Sequence, residues 1–186
     1  MDKERKNILI TGLPGIGKTT LIKHLLYKLE RYHPVGFYTE EIRHNGERKG
    51  FQLVSLDGKR SILAHVFIDS PYRIGKYKVD INGFDSFLDS LNIHEYKNNP
   101  IIIDEIGKME CLSVKFVRMI QDILDSENIV IATIAHSDGG IKGKIKERED
   151  VQLFRINLEN RETIKDEIIE TIKNFTQLSQ LGDDTR

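Results

Sequence analysis

One cysteine, Cys111, stands in 186 residues. A single thiol excludes an internal disulfide framework and suits a reducing cytosol. Excess charge is missing too: 28 lysines and arginines face 29 acids, for a formal net charge of −1. That balance indicates neither a nucleic-acid nor a membrane partner. No apolar run approaches the roughly 20 residues of a membrane span. The charge-rich residues 1–6 precede an apolar run that breaks at Gly12, too short for the core of a secretory signal. A cytoplasmic protein is the expectation. The histidines form no ligand-spaced cluster with cysteine or acids, so no zinc site is expected. Repeats and low-complexity linkers are also absent. The length favours one domain with a sizeable core, assigned to residues 1–176, and a polar tail at 177–186.

Against these absences stands one dense motif. Gly12, Leu13, Pro14, Gly15, Ile16, Gly17, Lys18 and Thr19, followed by Thr20, fit the phosphate-loop pattern G-x-x-x-x-G-K-[ST]. Residues 7–11 read as a buried strand entering the loop. Residues 20–29 read as a helix leaving it, with apolar positions at 21, 22, 25, 26 and 29. This setting separates the motif from a glycine-rich turn that binds nothing. The glycines let successive N–H groups point inward as an anion nest, and the helix start adds its positive dipole end. Lys18 supplies a mobile positive charge to the β- and γ-phosphates. The Thr19 hydroxyl is an oxygen ligand suited to Mg²⁺.

Downstream, Pro34 stops the first helix. Residues 35–43, 49–55 and 61–66 read as strands joined by turns at His44-Asn45-Gly46 and Asp57-Gly58. This meander predicts an antiparallel flank on a mixed sheet. Residues 67–82 read as irregular, and residues 84–91 as a short amphipathic helix. Helices are expected at 111–125 and 160–175, and strands at 128–134 and 151–156. Cys111 reads as small core filling, since no adjacent base or second cysteine accompanies it.

Ile101-Ile102-Ile103 marks a strand buried on both faces, as in a parallel sheet. It ends in Asp104 and Glu105. Two acids there are costly unless they sit at the sheet's C-terminal edge, where open α/β sheets bind ligands. Asp104 is therefore the candidate that holds Mg²⁺, with Thr19, and Glu105 the candidate that orients or deprotonates the attacking water. Strand alternation predicts that the two side chains face opposite ways.

Other polar residues carry two readings each. Arg43, Arg48 and Lys49 are either solvated hairpin charge or neighbours of the phosphates. Residues 139–148 are either a surface loop with a short helix or a lid whose Lys or Arg, within 142–148, reaches the γ-phosphate. Thr133 and His136 are structural or sense that phosphate. Residues 157–161 carry polar groups at the ligand edge and are a candidate for contact with the base.

Several separated segments resemble the THEP1-type nucleoside-triphosphatases. The loop through Thr20 is similar to theirs. So are residues 36–43 with 46–51 in the hairpin, residues 75–79, Asp104 to Glu110, and residues 151–161. The hairpin and the 104–110 segment are the family-specific pieces. The resemblance spans roughly residues 6–175 and departs at 135–144. It implies Mg²⁺-dependent hydrolysis of nucleoside triphosphates (ATP, GTP, CTP and UTP) with loose base preference. It also puts Lys18 and Glu105 in catalytic roles, and Lys108 and the hairpin arginines near the site. The expected architecture is a three-layer α/β P-loop NTPase fold, with a five-strand, mostly parallel core and an antiparallel hairpin flank. A small-molecule or nucleoside kinase and a partner-stimulated regulatory ATPase share the same loop and stay open as alternatives. Oligomeric state is not legible.

Overall fold

The computed structural model describes residues 6–175. The tail assigned to residues 177–186 lies outside them. In chain order the elements are β1 (Asn7–Gly12), α1 (Lys18–Leu29), β2 (Val35–His44), β3 (Glu47–Ser55), β4 (Arg60–His65), β5 (Arg73–Ile74), β6 (Tyr77–Val79), α2 (Ile81–Ser90), β7 (Ile101–Ile106), α3 (Val114–Asp125), β8 (Val130–Ala135), α4 (Ile141–Lys146), β9 (Val151–Arg155) and α5 (Ile164–Asn174).

One sheet holds all these strands, in the order β5-β6-β4-β3-β2-β7-β8-β1-β9. Strands β2, β7, β8, β1 and β9 are parallel, which is the expected five-strand core. Strands β3, β4, β6 and β5 extend it antiparallel. Alternation along the central strands builds the layers. Ile8 and Ile10 of β1 and Ile102 of β7 enter a core with Leu21, Ile22 and Leu25 of α1 and Ile168 and Ile172 of α5. Leu9, Ile101 and Ile103 enter the opposite core with Phe84 and Phe87 of α2 and Phe116 and Ile120 of α3. Strands covered on both faces have no polar side to present, which is why the isoleucine run is uninterrupted.

The flank is covered on one face only. Strand β4 packs against α2. On the opposite side, Glu40 of β2 accepts hydrogen bonds from Lys23, Gln52 and Arg60. A half-covered antiparallel sheet can solvate its other side, so polar cross-strand pairs are tolerated there.

Several boundaries differ from expectation, among them the start of α5, at Ile164 rather than residue 160. The stretch 67–82 contains β5 and β6, a hairpin turning at Gly75 (φ 59°). Strands of two and three residues are too short to register as periodicity. Helix α2 starts at Ile81, because Asp80 accepts a 2.9 Å hydrogen bond from the Gly83 N–H and caps it before the apolar stripe begins. Helix α3 starts at Val114, because Ser113 accepts from the Phe116 N–H at 2.9 Å; residues 110–112, Cys111 among them, form a separate 3₁₀ turn.

Phe37 of β2 ties the layers on the α2–α3 side together. Its ring meets those of Phe84, Phe87 and Phe116 edge-on, at centroid distances of 6.1, 5.6 and 6.4 Å. Because this fully buried ring serves the sheet and two helices at once, Phe37→Ala is expected to lose about 3–5 kcal/mol, read from urea unfolding monitored by circular dichroism. A loss below about 1 kcal/mol would mean that the cluster collapses onto the space without cost.

Candidate active site

Helix α1 begins at Lys18, immediately after Gly17 (φ 112°), and no side chain caps it. Its first-turn N–H groups therefore lack intrahelical partners and face the loop, the arrangement that suits a phosphate. Gly15 (φ 77°) and Gly17 occupy left-handed conformations that only glycine adopts cheaply. Gly12 serves a different need from the curl expected of it. A Cβ there would lie 2.6 Å from the Ile156 carbonyl oxygen and 2.7 Å from its side chain. Its smallness lets the chain after β9 close against the loop, where the Ile156 N–H donates to the Thr11 carbonyl. Lys18 arches back over the loop, Nζ donating to the carbonyls of Gly12 (3.1 Å) and Leu13 (3.4 Å).

Asp104 is 1% exposed at the end of β7. Ile103 pairs with Ala132, which brings the next residue of β8, Thr133, beside it. The Thr133 hydroxyl donates to Asp104 Oδ1 at 2.6 Å. Oδ2 is buried without a hydrogen-bond partner. Burial pushes the Asp104 carboxyl up, while the hydroxyls of Thr133 and Thr19 and the Lys18 charge pull it down. Burial also pushes Glu105 up; Lys18 opposes this, the Asp104 charge adds to it, and Lys142 opposes it. The peptide between the two acids is cis. Contrary to expectation, regular alternation does not run through this pair. The β7–β8 register shifts between Ile103 and Ile106, and both of those residues enter the same core. The Lys18 charge acts on both carboxylates.

A buried carboxylate oxygen without a partner, next to a threonine hydroxyl, is an all-oxygen donor pair that fits Mg²⁺. That ion takes one or two carboxylates and completes its shell with phosphate oxygens and water. No group of three or more His, Cys, Asp or Glu is placed to hold a metal among the described residues.

The ambiguous residues separate. Arg43 and Arg48 both pair with Glu41, Arg48 also donating to the Tyr77 hydroxyl, and Lys49 pairs with Glu47. This is the surface-charge arrangement. In the 142–148 segment, Lys146 is bound to Asp138 and the His136 carbonyl, and Arg148 to Asp125 and Asp150. Lys144 is exposed, whereas Lys142 is buried and acts electrostatically on Glu105. Lys108 and His136 are exposed. Thr133 is the structural partner of Asp104. Cys111 is pushed up to about 11 by burial, in keeping with core filling.

Sequence reasoning gave Glu110, the last residue of the 104–110 segment, no role of its own. This acid is 6% exposed, folded over Gly107, where a Cβ would lie 2.5 Å from its Oε2. Its position six residues after Asp104 marks nothing by periodicity. Only the turn that returns it beneath the strand end makes it part of the site.

A glycine loop between β1 and α1, with an acidic strand end one strand removed, defines a P-loop α/β protein. The family model described as NTPase matches residues 7–169. The nucleoside-triphosphatase THEP1 of Thermotoga sp. strain RQ2 is 47% identical over 167 residues, 89% of this chain and 95% of that protein. The human cancer-related nucleoside-triphosphatase is 35% identical, across 91% of this chain and 97% of its own. A crystal structure of THEP1 from Aquifex aeolicus superposes with a TM-score of 0.81 at 33% identity, covering 90% of this chain and 99% of that one. The chain belongs to the NTPase family.

Glu110 generates a pH prediction. Burial, the nearby Glu105 and Asp104 charges adding to it and the backbone N–H groups of Glu110 and Gly107 opposing it, pushes its carboxyl from 4.5 up to about 8. Between those values the folded chain holds a proton that the unfolded chain has released. Stability therefore falls as pH rises through this window and levels off above it. The urea midpoint is expected to drop from about pH 5.5 to about pH 8, and Glu110→Gln to make that drop shallower. An equal slope in the variant would assign the proton elsewhere.

Proposed function

We propose that this chain is a Mg²⁺-dependent nucleoside-triphosphate phosphohydrolase that converts an NTP and water to the NDP and phosphate, accepting ATP, GTP, CTP and UTP. The domain assigned to residues 1–176 carries the whole reaction. The observation that supports it most is the buried Asp104 carboxyl at the end of β7, its Oδ2 without a hydrogen-bond partner, on the sheet edge that also carries the glycine loop after β1. The names and close identity of the relatives support hydrolysis as the outcome.

Each residue has a role in this reading. The backbone N–H groups of residues 12–20 and the Lys18 ammonium hold the phosphate chain and stabilise charge on the transferring phosphoryl group. Thr19 and Asp104 would hold Mg²⁺, which would neutralise negative charge on the phosphate chain. Glu105 takes the water's proton or fixes its approach in line with the γ-phosphorus. Burial raises the basicity of Glu105; the Lys18 charge opposes that rise, the Asp104 charge adds to it and Lys142 opposes it. Thr133 locks Asp104 in one orientation, leaving Oδ2 for the ion.

Phosphate release from each of the four nucleotides, with and without Mg²⁺ and with no acceptor added, tests the reading. Glu105→Gln is expected to bind nucleotide as the wild type does and to lose about a hundredfold to ten-thousandfold in turnover. Lys18→Ala is expected to lose phosphate affinity and turnover together. Wild-type turnover in the Gln variant would remove Glu105 from its role, and strong dependence on an added acceptor would make the enzyme a kinase.

A further inference from the structure

Strand β8 ends at Ala135, which lies abreast of Gly12, the first residue of the phosphate loop. The chain must then cross β1 to reach β9, because the sheet runs β8-β1-β9. Helix α4 makes that crossing and packs against β9. Its Ile141 and Ile145 join the core that holds Leu9 of β1 and Phe116 of α3. Helix α1, which starts at Lys18, packs with Ile8 and Ile10 in the other core. Lys18 and α4 therefore reach the end of β1 from opposite faces of the sheet.

Lys142 stands in the first turn of α4, between these two isoleucines, and is 8% exposed. The other cations of its segment are accounted for. Lys146 and Arg148 have acidic partners, and Lys144 lies in solvent. Lys142 alone is packed away with neither a hydrogen bond nor an ion pair among the described residues. The polar side-chain atoms sealed from solvent without a partner are Asn7 Oδ1, Thr11 Oγ1 and Asp104 Oδ2; the Lys142 ammonium is not one of them. Its stem is packed and its tip keeps an opening. A lysine stem commonly snorkels to bulk water. This tip instead acts electrostatically on Glu105, at the end of β7, and on Cys111 in the turn that follows. Its opening is thus on the edge that carries the phosphate loop.

We propose that Lys142 is a further catalytic residue: its ammonium donates to a non-bridging oxygen of the γ-phosphate from the side opposite Lys18, and the two cations hold the phosphoryl group between them as its bond to the β-phosphate breaks. The proposal rests on the phosphohydrolase reading, which lays the phosphate chain in the loop. Lys142 gives hydrogen bonds only and keeps its protons. Charge spreads over the equatorial γ-oxygens in the transition state, so a cation fixed beside them favours that state over the bound substrate. An unpaired ammonium held in place before the nucleotide arrives needs no rearrangement to do so.

Lys142→Met keeps the packed stem and removes the charge. Its kcat for ATP is expected to fall about a hundredfold. Calorimetric titration is expected to show ADP bound as by the wild type, which also reports an intact site, and the non-hydrolysable imido analogue of ATP bound about tenfold more weakly. A wild-type kcat overturns the proposal, as does an equal loss of affinity for ADP and the analogue. The same pair of ligands is titrated in Glu105→Gln with and without Lys142→Met. A loss specific to the analogue is expected to persist there; its disappearance would mean that Lys142 acts through Glu105, and overturns the contact with phosphate. If the wild type releases phosphate from no nucleotide, the hydrolase reading falls, and the ratio of analogue to ADP affinity still decides the role of Lys142.

Discussion

The buried carboxylate of Asp104 sets the terms for everything around it. An ionised group taken out of water at a strand end costs several kcal/mol unless neighbouring groups compensate it. Here compensation comes from two directions: the Thr133 hydroxyl on the adjacent strand β8, and Lys18 with Thr19 from the start of α1. These groups belong to β7, β8 and the loop after β1, three neighbouring parallel strands whose C-terminal ends share one edge. Satisfying a single acid therefore brings the phosphate loop, Thr19 and Glu105 to one place. The oxygen left over, Oδ2, is the point at which the protein's own compensation stops and a cation's would begin.

The rest of the molecule keeps that edge rigid and uncrowded. Helices α1 and α5 pack on one face of the parallel strands, and α2 and α3 on the other, so both apolar layers close without covering the strand ends. The antiparallel extension packs through β4 against α2, while charges of the β2–β3 hairpin are neutralised locally, as in the Glu41 pairs with Arg43 and Arg48. Those arginines are paired within the hairpin. Gly12 completes the edge from the other side, its missing Cβ letting the turn after β9 approach the loop and line the cavity beside it.

Much of this architecture was legible in the residues. The phosphate loop, the Ile101–Glu105 strand, the meander and the helical stripes all express local rules: side-chain periodicity, glycine at strained backbone, acids tolerated only at a wet edge. Where reading failed, the missing information was non-local or too brief. Strands β5 and β6 are shorter than any periodicity. The starts of α2 and α3 were set by Asp80 and Ser113 caps that precede the apolar stripes. The role of Thr133 depends on the pairing of Ile103 with Ala132, and no spacing along the chain encodes which residues of two strands lie abreast. Glu110 was invisible for the same reason: it is ordinary in sequence and becomes a buried acid only because a turn folds it over Gly107.

Read alone, then, the amino acids establish a phosphate-binding loop, a buried strand closing in two acids, and an α/β sheet to carry them. Each follows from local chemistry that holds in any context. Folding in three dimensions chose among the polar residues that local chemistry could not rank. It assigned Thr133 to Asp104, paired the hairpin arginines with Glu41, and buried Lys142 where its charge acts on Glu105. Such choices depend on distances between residues far apart in the chain, and the packing of β1, β7, β8 and β9 into one sheet fixes those distances.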